Sequence, residues 1–86
     1  RAFSGNANQT MTVRYSPKIA RWIADREDGT TEEDGSLVVD HPLADFAWGI
    51  RHVLQYGPEA EVIDPPELRA ALGRTLSELR NRVHAA

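Results

Sequence analysis

The chain has 86 residues, which is enough for one domain with a small hydrophobic core. Ten basic and thirteen acidic residues give a formal net charge of -3, so the domain lacks the positive surface of a dedicated nucleic-acid binder. It contains no cysteine, which excludes disulfides and thiolate sites and favours a reducing, cytoplasmic compartment. No apolar run reaches the roughly 20 residues of a membrane span. Because the sequence does not begin with methionine, we expect a fragment of a longer protein.

The first elements are a polar segment and a strand. Residues 1–8 are small and polar, so we expect a linker or the tail of a preceding domain, with the folded domain at 9–86. Apolar and polar residues then alternate from Thr10 to Tyr15, which predicts a half-buried strand with Arg14 on its outer face.

A helix follows this strand. Ser16 and Pro17 are typical of a helix start, because Ser caps and proline fits the first helical position. The helical spacing of Ile19, Trp22 and Ile23 predicts that these three side chains pack into the core.

An acidic hairpin comes next. Residues 25–34 contain six acids and one arginine, which is typical of a solvated loop, and a short edge strand is expected near 30–33. Its partner strand is predicted at 36–41, where three β-forming residues are consecutive.

The clearest helical pattern covers residues 43–57. Trp48 and His52, one turn apart, are expected on the polar side of this helix, and Gly57 is expected to end it in a left-handed conformation. The predicted buried face consists of Leu43, Phe46, Ala47, Ile50, Val53 and Leu54.

A last strand and a long helix complete the chain. Residues 60–63 are predicted to form the strand, and Asp64 with two prolines is predicted to start the helix. An apolar stripe at spacings of three and four must be buried against another surface. It consists of Leu68, Leu72, Leu76, Leu79 and Val83.

In order, the elements predict an α+β domain of ferredoxin-like split β-α-β topology (βαββαβ). It has a four-stranded antiparallel sheet and an extra C-terminal helix. One sheet face is then left open, and the terminal helix can cover it, pack at the sheet edge or cross to a second subunit.

No residue pattern indicates catalysis or a metal. The three histidines have no ligand-like spacing, and the sequence shows neither a phosphate loop nor a nucleophile with its base. We therefore expect no enzyme activity, no metal and no cofactor.

Two sets of residues are candidate contact sites. Trp48 and His52 are expected at an interface with another domain or subunit, because tryptophan is enriched at interface centres. The leucine stripe residues Leu72, Leu76 and Leu79 are expected there too, because the stripe must be buried against another surface. A weaker set could bind an anionic effector, and it consists of Arg14, Arg21 and Arg51.

Four segments in this order carry a resemblance to a known family. They are residues 12–17, which read TVRYSP, 34–39, which read DGSLVV, 45–58, and 60–69, which read AEVIDPPELR. Together they resemble the C-terminal extension domain, called WCX, of WYL-domain transcriptional regulators. His52 departs from the family, in which an aromatic is frequent at that position.

The resemblance implies a larger bacterial regulator. It would hold a winged helix-turn-helix that binds DNA, a WYL domain that senses an effector, and this domain, which has a ferredoxin-like fold and contributes to dimerisation and effector coupling. In some members the effector is single-stranded DNA. The expected partners are a second copy and the WYL and helix-turn-helix domains of the same chain.

The sequence thus favours a non-enzymatic regulatory and oligomerisation module in the cytoplasm. The alternative is a stand-alone ferredoxin-like domain that binds a small molecule at a dimer interface. An enzyme is the third reading, and only a site without a sequence signature would support it.

Overall fold

The computed structural model describes residues 9–85, which form one antiparallel sheet with three α-helices. The predicted linker at residues 1–8 lies outside the described residues. In chain order the elements are β1 (Thr10–Tyr15), α1 (Pro17–Ala24), β2 (Thr30–Thr31), β3 (Leu37–Pro42), α2 (Phe46–Leu54), a 3-10 turn (Gly57–Glu59), β4 (Ala60–Asp64) and α3 (Pro66–Ala85).

The sheet has the strand order β2-β3-β1-β4. β1 is central and pairs antiparallel with β3 and with β4, and β2 pairs antiparallel with β3. The predicted α+β class with a four-stranded antiparallel sheet is therefore confirmed, whereas the ferredoxin-like assignment stays a prediction.

Alternation along β1 separates the two faces of the sheet. Met11, Val13 and Tyr15 are buried toward the helices, as the pattern predicted. On the open face the Thr12 hydroxyl donates to the Asp40 carboxylate at 2.7 Å. The open face is thus polar, and the core lies between the sheet and the helices.

Helix α1 packs differently from the prediction. Ile23 is buried and Ile19 is partly buried, but Trp22 is 67% exposed, so the prediction that Trp22 lies in the core is wrong. Ala20 is packed against the core. Trp22 lies on the side of the helix that faces away from Ala20, and its side chain is exposed to solvent.

Helix α2 is present but rotated from its predicted orientation by roughly 100° about its axis. Gly49 and Val53 are its buried residues, whereas Phe46 and Ala47 of the predicted face are exposed. Gly49 explains the rotation: a Cβ there would lie 2.8 Å from Leu43 Cδ1. Because glycine has no side chain, the helix can approach the core closely at this position. A pattern of apolar residues does not include glycine, so it could not predict that this side of the helix is buried.

Helix α3 begins against the core and then leaves it. Leu68 is fully buried beside Gly49, and the helix contacts β4 and α2. Within the single chain the start of the helix packs at the sheet edge, and a contact of its later turns with a second subunit stays a prediction. Gly57 ends the α2 segment with φ +59°, which confirms the predicted left-handed residue.

We predict that Gly49→Ala destabilises the domain whereas Gly73→Ala does not. The new methyl group at position 49 would also lie 3.3 Å from Leu68 Cδ2 and from Met11 Sδ, so three buried side chains would have to shift to admit it. Overpacking should lower the free energy of unfolding by about 1–3 kcal/mol.

Gly73 is the matched control, because it lies in α3 and a Cβ added there would have no atom within 4 Å. Alanine there should raise the free energy of unfolding by up to ~1 kcal/mol through helix propensity alone. Urea unfolding of both variants measures the difference. Equal effects at the two positions would contradict the close approach at Gly49.

Candidate interaction surfaces

The start of α2 directs two aromatic side chains toward the core. Asp45 caps the helix, since its carboxylate accepts a hydrogen bond from the Trp48 amide at 2.8 Å. The Trp48 and His52 rings are stacked, with centroids 5.1 Å apart and planes inclined by 20°. Trp48 packs against the core, so the prediction that these two residues point away from it is wrong. Their role at an interface stays a prediction.

His52 belongs to a polar cluster under α2, which we call the histidine cluster and define as Tyr15, His41 and His52. The Tyr15 hydroxyl lies 2.7 Å from His41 Nε2 and 3.2 Å from His52 Nε2. The two imidazole centroids are 4.7 Å apart, and Tyr56 packs edge-on against Tyr15. Tyr15 is 1% exposed and His41 5% exposed, so the cluster is largely shielded from water.

The hydrogen-bond directions in this cluster depend on the histidine tautomers. The tyrosine hydroxyl has one proton, so it donates to at most one imidazole and accepts from an imidazole that carries a proton on Nε2. Every member has a partner in this arrangement, and no buried side-chain nitrogen or oxygen in the described residues lacks one.

Burial favours the uncharged form of each member. It lowers the pKa of His41 below the ordinary histidine value. Burial also lowers the pKa of His52, and the neighbouring His41 lowers it further. For Tyr15, burial raises the pKa of the phenol. The cluster is therefore a neutral hydrogen-bonded network near pH 7.

The apolar stripe of α3 carries three of the five exposed large hydrophobic side chains of the described residues. Leu72 is partly buried against the core. The later side chains of the stripe are exposed: Leu76 is 48% exposed, Leu79 47% and Val83 74%. A shallow groove runs between the start of β4 and α3, with Val62, Leu72 and Leu76 in its lining. The prediction that the whole stripe is buried does not hold within one chain.

The three predicted arginines do not share one face. Arg14 lies on the open sheet face, where its guanidinium donates to Glu32 at 2.9 Å and to Glu61 at 3.0 Å. These carboxylates raise the pKa of Arg14 and neutralise its charge. Arg21 lies on α1 and Arg51 on α2, in the layer on the other side of the sheet. Effector contact by any of them stays a prediction.

Tyr15, His41 and Tyr56 were not predicted as site residues. The sequence did contain a signal for two of them, because Tyr15 and His41 both occupy inward-facing positions of neighbouring strands. The register agrees: His41 pairs with Met11 and Val39 pairs with Val13, on the same face of the sheet. The contact with His52 required the rotation of α2, which the periodicity did not show.

Comparison with protein families matches residues 7–80 to the family described as WCX domain. A comparison with curated proteins gives no match. In the described part of the chain, no helix has the combination of length and apolar character that crossing a membrane requires. Residues 9–83, whose side chains the structure describes, likewise hold no group of three or more His, Asp or Glu side chains arranged to bind a metal ion.

We predict that the domain loses stability as the pH falls from about 6.5 to 5.5. The unfolded chain binds protons on its histidines around pH 6.5, whereas His41 and His52 resist protonation in the folded state. Their contribution is complete above the unfolded pKa and is lost as the pH falls toward the folded pKa values. The slope is at most about 1.4 kcal/mol per pH unit for each histidine.

The variant His52→Phe is the control, because phenylalanine keeps a ring on Trp48 and removes one titrating group. Urea unfolding across this pH range should show a shallower pH dependence for the variant than for the parent chain. A stability that does not change between pH 7 and 5.5 would rule out the neutral network.

Proposed function

Because the chain belongs to the WCX domain family, we propose that it is a non-enzymatic regulatory module of a WYL-type bacterial transcriptional regulator. In this proposal it contributes a dimer contact and couples effector binding to a DNA-binding domain elsewhere in the protein. The supporting observation is the exposed leucine stripe of α3, which stays open to solvent beside a well-formed core.

The stripe has the chemistry of a protein interface. Leu72, Leu76 and Leu79 are spaced so that they share one side of α3, and a long helix with such a stripe buries it against a second helix. We propose a second copy as the occupant.

The packing of α3 suggests how coupling would operate. Leu68, at its start, meets Gly49 of α2, and α2 carries Trp48 and His52. A shift of α3 in the dimer would therefore change the packing of α2 and, through His52, the position of the histidine cluster. For an effector to use this route it must favour one arrangement of α3 over another.

The effector is proposed to be anionic, and single-stranded DNA is one candidate by family resemblance. Arg21 and Arg51 are exposed and belong to the helical layer, which favours them over Arg14 as contacts. We further propose the ferredoxin-like topology and a cytoplasmic location. The order strand, helix, two strands, helix, strand and the central position of β1 support the topology.

A second candidate function is a small-molecule site. A groove opens where β1, α2 and α3 begin, and its lining includes Leu43, Phe46 and Pro65. Phe46 is a partly exposed aromatic there, which favours an apolar or aromatic ligand. A thermal-shift screen with Phe46→Ala as control tests this candidate, because a specific ligand would raise the melting temperature of the parent chain alone.

We predict that Leu76→Asp weakens self-association of the chain at least tenfold. A buried carboxylate at the centre of an apolar helix contact costs desolvation without a partner. Sedimentation equilibrium over a concentration series measures the dissociation constant.

Ser77→Asp is the matched control, since it adds the same charge to the neighbouring exposed position of α3, off the stripe. It should leave association within about threefold of the parent chain. A chain that is monomeric at every concentration, or one that both aspartates affect equally, would contradict a dimer contact through the stripe.

A further inference from the structure

Helix α1 carries an exposed face of which the fold uses no residue and the proposed function uses only Arg21. Lys18, Arg21, Trp22 and Asp25 are spaced by three, one and three residues, which places all four on one side of the helix. All four are exposed, and Trp22 is 67% exposed. Asp25 keeps helical dihedral angles as the C-cap, so its side chain continues this face.

Two of these charges, those of Lys18 and Asp25, are opposed to the dipole of their own helix, whereas Arg21 lies in the last turn, where a positive charge is favourable. Lys18 lies in the first turn, where the helix end is positive, and Asp25 lies at the negative end. Among the described residues no ion pair engages Lys18, Arg21 or Asp25, although Arg21 and Asp25 are one turn apart. The stability of α1 itself therefore does not account for the positions of Lys18 and Asp25.

An antiparallel copy of the same helix does account for it. When two identical helices pair about a twofold axis, residues at equal distances from the axis face each other. An axis between positions 21 and 22 places Lys18 opposite Asp25 of the second copy. The same axis places Arg21 opposite Trp22 of the second copy, the geometry of a cation-π contact. One register thus satisfies all four residues.

The dipoles agree with this register. In the antiparallel pair Lys18 approaches the negative end of the partner helix, and Asp25 approaches the positive end. Each charge that is unfavourable in its own helix becomes favourable beside the other.

We propose that the α1 face, defined as Lys18, Arg21, Trp22 and Asp25, is a self-complementary contact between two copies of this chain. It is separate from the α3 stripe. A helix of eight residues buries little area, so the contact is weak in isolation and depends on ionic strength. In a protein that already dimerises through α3, it would join dimers into a higher assembly.

Two charge reversals test the register. In a symmetric pair of Lys18→Glu chains, the new carboxylate faces Asp25 of the second copy. In a symmetric pair of Asp25→Lys chains, the new ammonium faces Lys18 of the second copy. Each variant alone should weaken self-association by roughly tenfold, because two ion pairs are reversed. Mixed in equal amounts, the two variants should associate with each other about as strongly as the parent chain. In the mixed pair the carboxylate introduced at position 18 faces the ammonium introduced at position 25.

The experiment uses sedimentation equilibrium of the 86-residue chain at low salt up to about 1 mM, in the background of Leu76→Asp. That background removes the proposed α3 contact, so failure of one proposal is distinguishable from failure of the other. All substituted side chains are exposed, and circular dichroism verifies that each variant folds. A mixture that associates no better than its components overturns the proposal, as does a background chain that is monomeric throughout.

Discussion

The close approach of α2 to the sheet at Gly49 is the constraint from which the other features of the domain follow. Without a side chain at this position, Leu43, Met11 and Leu68 close over the helix. The resulting rotation turns His52 toward Tyr15 and His41, and it turns Phe46 outward. One glycine thereby determines which aromatic residues form the buried cluster and which remain on the surface.

The contacts of the domain are consequently divided between two kinds of surface. The open sheet face is occupied by its own polar pairs, in which Arg14 is held by Glu32 and Glu61. The helical layer instead exposes the leucines of α3 and the charged face of α1 around Trp22. Function by association through helices fits this division better than ligand binding on the sheet.

The two tryptophans show where sequence reasoning reached its limit. Periodicity placed the strands and helices correctly, because alternation along β1 and the glycine and proline signals are local properties. It exchanged the roles of Trp22 and Trp48, since the buried side of each helix depends on the small residues Ala20 and Gly49 that allow close packing. Packing between elements decided which side of each helix is buried, and the hydrophobic pattern of a single sequence does not show that packing.

The histidine cluster could not be predicted for the same reason, because its members come from β1, β3 and α2. The leucine stripe of α3, by contrast, was visible in the sequence, because a spacing of three and four is a property of one helix.

The central claim, that the α3 stripe contacts a second copy, is tested most directly by a distance between two α3 helices. The chain contains no cysteine, so Glu78→Cys introduces a single site for a spin label beside the stripe. Paired helices lie about 8–10 Å apart, so double electron-electron resonance should give a defined distance below roughly 35 Å that Leu76→Asp abolishes. The absence of a defined distance, or a distance that survives Leu76→Asp, would contradict the account.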